Sequence, residues 1–171
     1  LSTLELSLTE VHRTRQRISA HYDARRVPSG VAFESLDLGG IRAERCHLED
    51  AALQRRTILY LHGGGFLVGS PLMYRKLATR LARATEATVV TPQYRLAPEH
   101  PWPAAPDDAL GAYRALLDAG HAARDLAVVG DSAGGNLVLV LLQRIREAGL
   151  PMPASAVCLS PWADLTGTSP T

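Results

Sequence analysis

The sequence predicts an α/β fold, built on a mostly parallel sheet with helices on both of its faces. The first observation is a set of short apolar segments, typical of buried strands, at 57–61, 87–91, 126–129 and 156–159. The second is that a stretch with helical spacing of apolar residues separates each segment from the next. Apolar strands that alternate with helices form parallel sheets, because the connecting helices cover both faces.

The N-terminal part of the chain predicts a helix and a hairpin. Apolar residues recur on one face of a helix expected over 8–25. Two strand-like segments, 31–38 and 41–48, are joined by Gly39-Gly40, which is a two-residue hairpin signal.

The later helices are bounded by proline and glycine. One helix is expected after Pro71, and another has Asp107 and Asp108 in its first turn and ends near Gly120. Prolines between 92 and 103 preclude regular structure there. The last helix carries an unbroken apolar run at 137–142, so we expect it to be the most buried one.

Composition excludes several classes of protein. Hydrophobic residues make up 46% and charged residues 20% of 171, as in globular proteins. The net charge of +1 gives no reason to expect a nucleic-acid partner. The cysteines, Cys46 and Cys158, are expected to be free buried thiols. No apolar run has membrane-spanning length, the first residues lack a secretory pattern, and no cluster has metal-ligand spacing. We therefore predict a cytoplasmic protein with no membrane, metal or cofactor.

One stretch, Gly130-Asp131-Ser132-Ala133-Gly134-Gly135, follows a strand and begins a helix. A serine on such a tight turn is a candidate nucleophile, because the turn lifts its hydroxyl clear of its neighbours. The N–H of Ala133, at the positive end of the helix, is a candidate donor to an oxyanion. The alternative is an ordinary serine at a helix start.

A second glycine-rich turn, His62-Gly63-Gly64-Gly65, follows the strand at 57–61. Glycines let bare N–H groups approach a ligand. A plain tight turn and a phosphate cradle are alternatives, although no Lys-Ser/Thr pair follows. Because both turns follow parallel strands, they are expected to face one crevice.

Four stretches together resemble the hormone-sensitive-lipase-like esterases of the α/β-hydrolase fold. In chain order they are Tyr60-Leu-His-Gly-Gly-Gly-Phe66, Tyr94-Arg-Leu-Ala-Pro-Glu-His-Pro101, Gly130-Asp-Ser-Ala-Gly-Gly135 and Ser160-Pro-Trp-Ala-Asp-Leu165. The resemblance implies a serine carboxylic-ester hydrolase that acts on short-chain acyl or aryl esters, and it allows a homodimer.

The resemblance also implies a role for each site residue. Ser132 would be the nucleophile, and Gly64, Gly65 and Ala133 would supply the oxyanion N–H groups. His62, Gly63 and Asp131 would support these turns. Residues 1–30 would form a cap-like helical segment, and 31–171 the N-terminal portion of the hydrolase core.

The sequence departs from the family pattern in one respect. All six histidines precede Ser132, whereas the family's catalytic Asp and His follow the serine. We therefore expect the triad Asp and His beyond residue 171, and the last strands and part of the cap to be missing from these residues. His62 as the base, a non-catalytic ligand-binding protein on the same fold, and an inactive fragment are the alternatives.

Overall fold

The computed structural model describes residues 8–23, 28–49 and 55–166. The helices are α1 (Leu8–Asp23), α2 (Pro71–Thr85), α3 (Ala104–Asp118) and α4 (Ala133–Glu147), with a short 3₁₀ turn at Ala123–Asp125. The strands are β1 (Val31–Asp37), β2 (Arg42–Leu48), β3 (Thr57–Leu61), β4 (Thr88–Pro92), β5 (Leu126–Asp131) and β6 (Ser155–Leu159). The predicted order, a hairpin followed by alternating strands and helices, is confirmed.

The strands form one mixed sheet in the order β1-β2-β4-β3-β5-β6. The four strands from β4 to β6 run parallel, whereas β1 pairs antiparallel with β2, and β2 pairs antiparallel with β4. The strand β3 is therefore central, and β5 lies directly beside it, with Leu61 opposite Gly130. This register brings the two glycine-rich turns to the same edge of the sheet.

Helices cover both faces of the sheet, as predicted. Leu59 and Leu61 of β3 face a core shared with α3 and α4, where Leu137 and Leu141 lie. The alternate residues of β3 face a second core shared with α2. Every residue of β3 is buried, which is expected of a central parallel strand.

Local signals placed most element boundaries correctly. Gly39 and Gly40 lie between β1 and β2, and both have positive φ, as the hairpin signal predicts. A hydrogen bond from Leu38 N to Ile41 O (2.9 Å) closes the turn. Gly120 ends α3 with φ +92° and donates to Leu117 O. The predicted end of the first helix, at residue 25, lies outside the described residues.

The expectation that α4 is the most buried helix is not met, because α3 and α4 each bury eight of their 15 residues. Within the apolar run of α4, Leu137, Val138 and Leu141 are enclosed, but Leu139 is 40% exposed. The strand β6 beside it pairs only with β5 among the described strands, and Val157 and Leu159 are 43% and 40% exposed. The apolar surface at this end of the sheet is therefore extensive.

Cys46 is buried and Cys158 is partly buried, and neither forms a disulfide. The expectation of free thiols is thus confirmed for both residues, and the expectation of burial for Cys46 alone.

Candidate active site

Ser132 lies between β5 and α4 in a backbone conformation that L residues rarely adopt, with φ 52° and ψ −120°. Two hydrogen bonds to its carbonyl hold it there, from Asn136 N (3.1 Å) and Trp162 N (2.9 Å). Its own N–H donates to Leu159 O at 3.0 Å. The side chain is exposed and makes no capping bond to the helix. The turn therefore presents the hydroxyl to solvent, as an elbow does.

The glycines around Ser132 permit a close approach between α4 and the end of β3. A Cβ built on Gly134 would collide with Leu61 O and lie 2.6 Å from His62 O. A Cβ on Gly130 would collide with Gly134 O. Only glycine fits at these positions, so the sequence pattern has a steric cause.

Residues 62–69, the glycine loop, follow β3 and are joined to the elbow by the hydrogen bond from Gly63 N to Asp131 Oδ1. Three successive peptide carbonyls in it are anchored. His62 O accepts from the Tyr94 hydroxyl (2.5 Å), Gly63 O accepts from His62 Nδ1 (2.9 Å), and Gly64 O accepts from the N–H groups of Leu67 and Val68 (3.0 Å each). Anchored carbonyls fix the orientation of each peptide plane.

These anchors determine where three N–H groups point. In a trans peptide the N–H is directed opposite to the carbonyl of the preceding residue. The N–H groups of Gly64 and Gly65 therefore point away from the donors that bind Gly63 O and Gly64 O. The N–H of Ala133 likewise points away from the two N–H groups that bind Ser132 O. No hydrogen bond within the described part of the chain uses these three N–H groups. Unused donors held in fixed directions can bind an anion.

Asp131 connects the elbow to the glycine loop. Its Oδ1 accepts from Gly63 N (2.8 Å) and from the Tyr60 hydroxyl (2.7 Å), and its Oδ2 accepts from the Tyr74 hydroxyl (3.1 Å). Burial raises the pKa of both tyrosines, so both stay protonated and donate. One carboxylate thus joins β3, β5, α2 and the start of the glycine loop.

His62 is fully buried and stacks between Tyr74 and Tyr94, with ring centroids 5.5 and 4.3 Å away. Burial lowers its pKa to about 4, so the ring is neutral near pH 7. Since the Tyr94 hydrogen goes to His62 O, the single ring hydrogen belongs on Nδ1, which faces Gly63 O. Nε2 lacks a partner among the described residues. The enclosed ring shapes the glycine loop, and the interpretation of His62 as a base has no geometric support.

Residues 93–103, the proline loop, contain partners that the sequence did not reveal. Asp108 of α3 is buried, and it accepts from Arg95 N (2.8 Å) and from Arg95 Nη2 (2.7 Å). The charge of Asp108 predicted a place in the first turn of a helix, but α3 begins at Ala104, so Asp107 lies in its first turn and Asp108 follows that turn. Its larger role is to hold the start of the proline loop.

A cavity of about 320 Å³ lies between α1, the glycine loop and the proline loop. Its walls include Arg15 and Ile18 from α1, Gly69 and Met73, and Leu96 of the proline loop. Arg15 reaches both loops from α1, a contact that no local pattern in the sequence could indicate.

No group of three or more potential metal-ligating side chains occurs among the residues that the structure describes. The described helices also include none that is both long and apolar enough to cross a bilayer.

Comparison with known proteins defines the class to which this fold belongs. A family model described as the alpha/beta hydrolase fold matches residues 58–171, and the chain belongs to this family. An acetyl-hydrolase of Streptomyces hygroscopicus is 51% identical over 110 residues, which are 64% of this chain and 37% of that relative. An esterase of Acinetobacter venetianus is 40% identical over 139 residues, which are 81% of this chain and 45% of that relative.

Solved structures agree. The crystal structure of an esterase from the bacterial hormone-sensitive lipase family matches with a TM-score of 0.86 and 38% identity, covering 92% of this chain and 53% of that chain. The predicted resemblance and fold class are confirmed. The chain spans about half the length of these proteins, or less.

Proposed function

We propose that these residues form the nucleophile and oxyanion half of a serine carboxylic-ester hydrolase. Ser132 is the nucleophile, and the N–H groups of Gly64, Gly65 and Ala133 receive the oxyanion. His62, Gly63 and Asp131 hold these groups in place. The observation that carries the proposal is the exposed serine on a strained turn, next to the Ala133 N–H and at the same sheet edge as the Gly64 and Gly65 N–H groups. Anchored carbonyls fix the directions of all three N–H groups.

The reaction follows from this arrangement. The Ser132 hydroxyl attacks the ester carbonyl carbon and loses its proton to a base, while the carbonyl oxygen gains negative charge opposite the N–H groups. Collapse expels the alcohol, which takes up the proton and leaves an acyl group on Ser132. Water then attacks the acyl carbonyl by the same route and releases the carboxylic acid. Loss of one oxyanion donor typically costs ~3 kcal/mol of transition-state stabilisation.

The base in this mechanism is a histidine oriented by an aspartate, both from outside residues 1–171. His62 is enclosed by tyrosines and neutral, so it is not assigned that role. The coverage of relatives, 37% and 45% of their lengths, leaves room for such residues.

Short-chain acyl esters are the proposed substrates. The supporting observation is the name acetyl-hydrolase carried by the relative that is 51% identical. Aryl esters such as p-nitrophenyl acetate and p-nitrophenyl butyrate are suitable probes, because the leaving group is chromogenic.

The decisive experiment compares Ser132→Ala with Ser155→Ala in the full-length protein. Ser155 is an exposed serine at the start of β6, so its loss serves as the matched control. We expect Ser132→Ala to lower kcat for p-nitrophenyl butyrate by ~10⁴-fold or more, and Ser155→Ala to leave it unchanged. Mass spectrometry after treatment with an organophosphonate should locate the adduct on Ser132. Turnover that survives Ser132→Ala would refute the assignment.

The same assay separates the enzyme from its alternative, a ligand-binding protein on this fold. Such a protein would bind an ester without turning it over and without labelling of Ser132. A cap role for residues 1–30, a core over 31–171, a homodimer and a cytoplasmic location stay predictions of the sequence.

A further inference from the structure

Arg15 connects the N-terminal helix to both loops beside the site. Its Nε donates to Leu67 O (2.7 Å) of the glycine loop, and its Nη2 donates to Ala97 O (2.7 Å) of the proline loop. The guanidinium also forms a two-point pair with Glu99, with contacts of 2.6 and 3.0 Å. The planar guanidinium can donate to both carbonyls and to the carboxylate at the same time, whereas a lysine ammonium cannot match this geometry.

The contact with Leu67 bears on a donor of the site. Leu67 N donates to Gly64 O, and that carbonyl belongs to the same peptide plane as the N–H of Gly65. Arg15 holds the carbonyl of Leu67, and the N–H of Leu67 holds the peptide plane that contains the Gly65 N–H. Leu67 is therefore the single residue that connects the guanidinium to the Gly65 N–H.

The proline loop reinforces the same turn. Ala97 N donates to Phe66 O at 2.9 Å, so the residue before Leu67 is held from that side. Arg15 accordingly closes a ring of contacts formed by α1, residues 66–67 and residues 97–99. The glycine loop needs such support, because Gly64, Gly65 and Phe66 all have positive φ.

We propose that Arg15 is a positioning residue for the oxyanion donors, acting through Leu67 on the Gly65 N–H. The inference rests on the proposed serine hydrolase function. Arg15 does not touch the reacting atoms; it keeps a donor aimed at the site where charge develops. Misplacement of a reacting group by about 1 Å can cost ~10²-fold in rate.

The ion pair with Glu99 is the lesser part of this role. The Arg15 and Glu99 side chains are 24% and 28% exposed, and pairs accessible to water contribute little to stability. The two bonds from Arg15 to backbone carbonyls carry the positioning. Glu99→Gln keeps both of those bonds and is therefore the matched control.

The test uses Arg15→Met, Arg15→Lys, Glu99→Gln and Arg17→Met in the full-length protein. Arg17 is exposed on the same helix and controls for the loss of a charge from α1. We expect Arg15→Met to lower kcat for p-nitrophenyl butyrate by ~10- to 100-fold, with KM within about twofold. Glu99→Gln and Arg17→Met should stay within about threefold of wild type in kcat.

An inhibitor separates positioning from support of the fold. A trifluoromethyl ketone forms a tetrahedral oxyanion with the active serine, so its Ki should rise in proportion to the loss of kcat/KM. A purely structural role would lower the melting temperature and leave the Ki of the folded fraction unchanged. If Arg15→Met does not fold, Arg15→Lys decides, because a single ammonium keeps the charge but not the bonds to both carbonyls.

The outcomes are distinct. A folded Arg15 variant with wild-type kcat and Ki, or with a change in KM alone, overturns the inference. Ser132→Ala is measured alongside. If Ser132→Ala retains activity, the serine mechanism is rejected, and the positioning role of Arg15 is rejected with it. If Ser132→Ala is inactive while the Arg15 variants match wild type, only the positioning role of Arg15 is rejected.

Discussion

At the scale of single residues, Ser132 occupies backbone space that residues with a Cβ avoid. A conformation of this kind costs ~1–3 kcal/mol and persists because the surrounding bonds impose it. Here those bonds come from Asn136, Trp162 and Leu159. The strain at this position and the exposure of the hydroxyl are thus two results of one turn.

Replacement of Ser132 by glycine should therefore stabilise the protein while it removes the proposed nucleophile. Glycine adopts positive φ without steric cost, so we expect Ser132→Gly to raise the free energy of unfolding by ~1 kcal/mol. Ser132→Ala retains the Cβ and serves as the control, with no such gain. Urea unfolding of the three proteins measures the difference, and equal stabilities for the glycine and alanine variants would contradict the expectation.

His62 gives the protein a pH-dependent stability. Its pKa is about 4 in the folded state and ~6.5 when unfolded. Between these values the unfolded chain binds more protons than the folded chain, so stability is full above pH 6.5 and falls as the pH drops toward 4. The shift corresponds to roughly 3 kcal/mol.

We expect His62→Asn to lose this pH dependence, because the amide can still donate to Gly63 O but does not titrate. Urea unfolding at several pH values between 7 and 4 measures the slope. A wild-type slope that persists unchanged in His62→Asn would show that other groups cause it.

The sequence predicted the two turns of the candidate site better than the contacts that support them. The tight turn at Ser132 and the glycine turn at 63–65 were predictable, because tight turns and close approach leave a local signature in glycine. The partners of Asp131 were not, since Tyr60 and Tyr74 are 71 and 57 residues away from it along the chain. A side chain that meets its partner only after folding leaves no pattern in the local sequence.

At the scale of elements, α3 is coupled to the proline loop by Asp108. The carboxylate is buried and satisfies the N–H of Arg95, so its removal would leave a backbone donor without its partner. Adjacent Asp107 also pairs with an arginine, Arg144, but its side chain is 50% exposed. The two neighbouring aspartates therefore differ mainly in burial.

Accordingly, Asp108→Ala should lower the free energy of unfolding by ~2 kcal/mol, whereas Asp107→Ala should change it by less than ~0.5 kcal/mol. Thermal or urea denaturation of both variants tests the contrast. Similar losses of unfolding free energy in the two variants would contradict the expectation that the buried aspartate contributes more to stability than the exposed one. Sequence alone could not separate them, because both suit the first turn of a helix.

At the scale of the whole molecule, the apolar surface around β6 stands out. Val157, Leu159, Trp162 and Leu165 are each at least 40% exposed. The sequence predicted the alternation of strands and helices and a mostly parallel sheet, but not the order of the strands in that sheet. It did not predict which face of α4 stays uncovered, since the run at 137–142 is apolar on all sides.

A polypeptide of residues 1–171 expressed alone should self-associate through this surface. Apolar sheet edges pair with other chains, and charged residues prevent such pairing. We expect the double variant Val157→Lys, Leu159→Lys to shift the polypeptide toward monomer in sedimentation velocity. Leu8→Lys, at an exposed leucine on α1, is the control and should have no effect. A monomeric wild-type polypeptide would contradict the prediction.

The bond between Gly63 N and the Asp131 carboxylate joins residues 68 positions apart. Pairing of β3 with β5 must close this long segment, and contacts of large sequence separation form slowly because loop closure costs entropy. The glycine loop and the elbow thus meet only once the central strands have paired. The reactivity proposed for Ser132 toward an organophosphonate would consequently report the completion of folding in the full-length protein, and its recovery after dilution from urea would time that event.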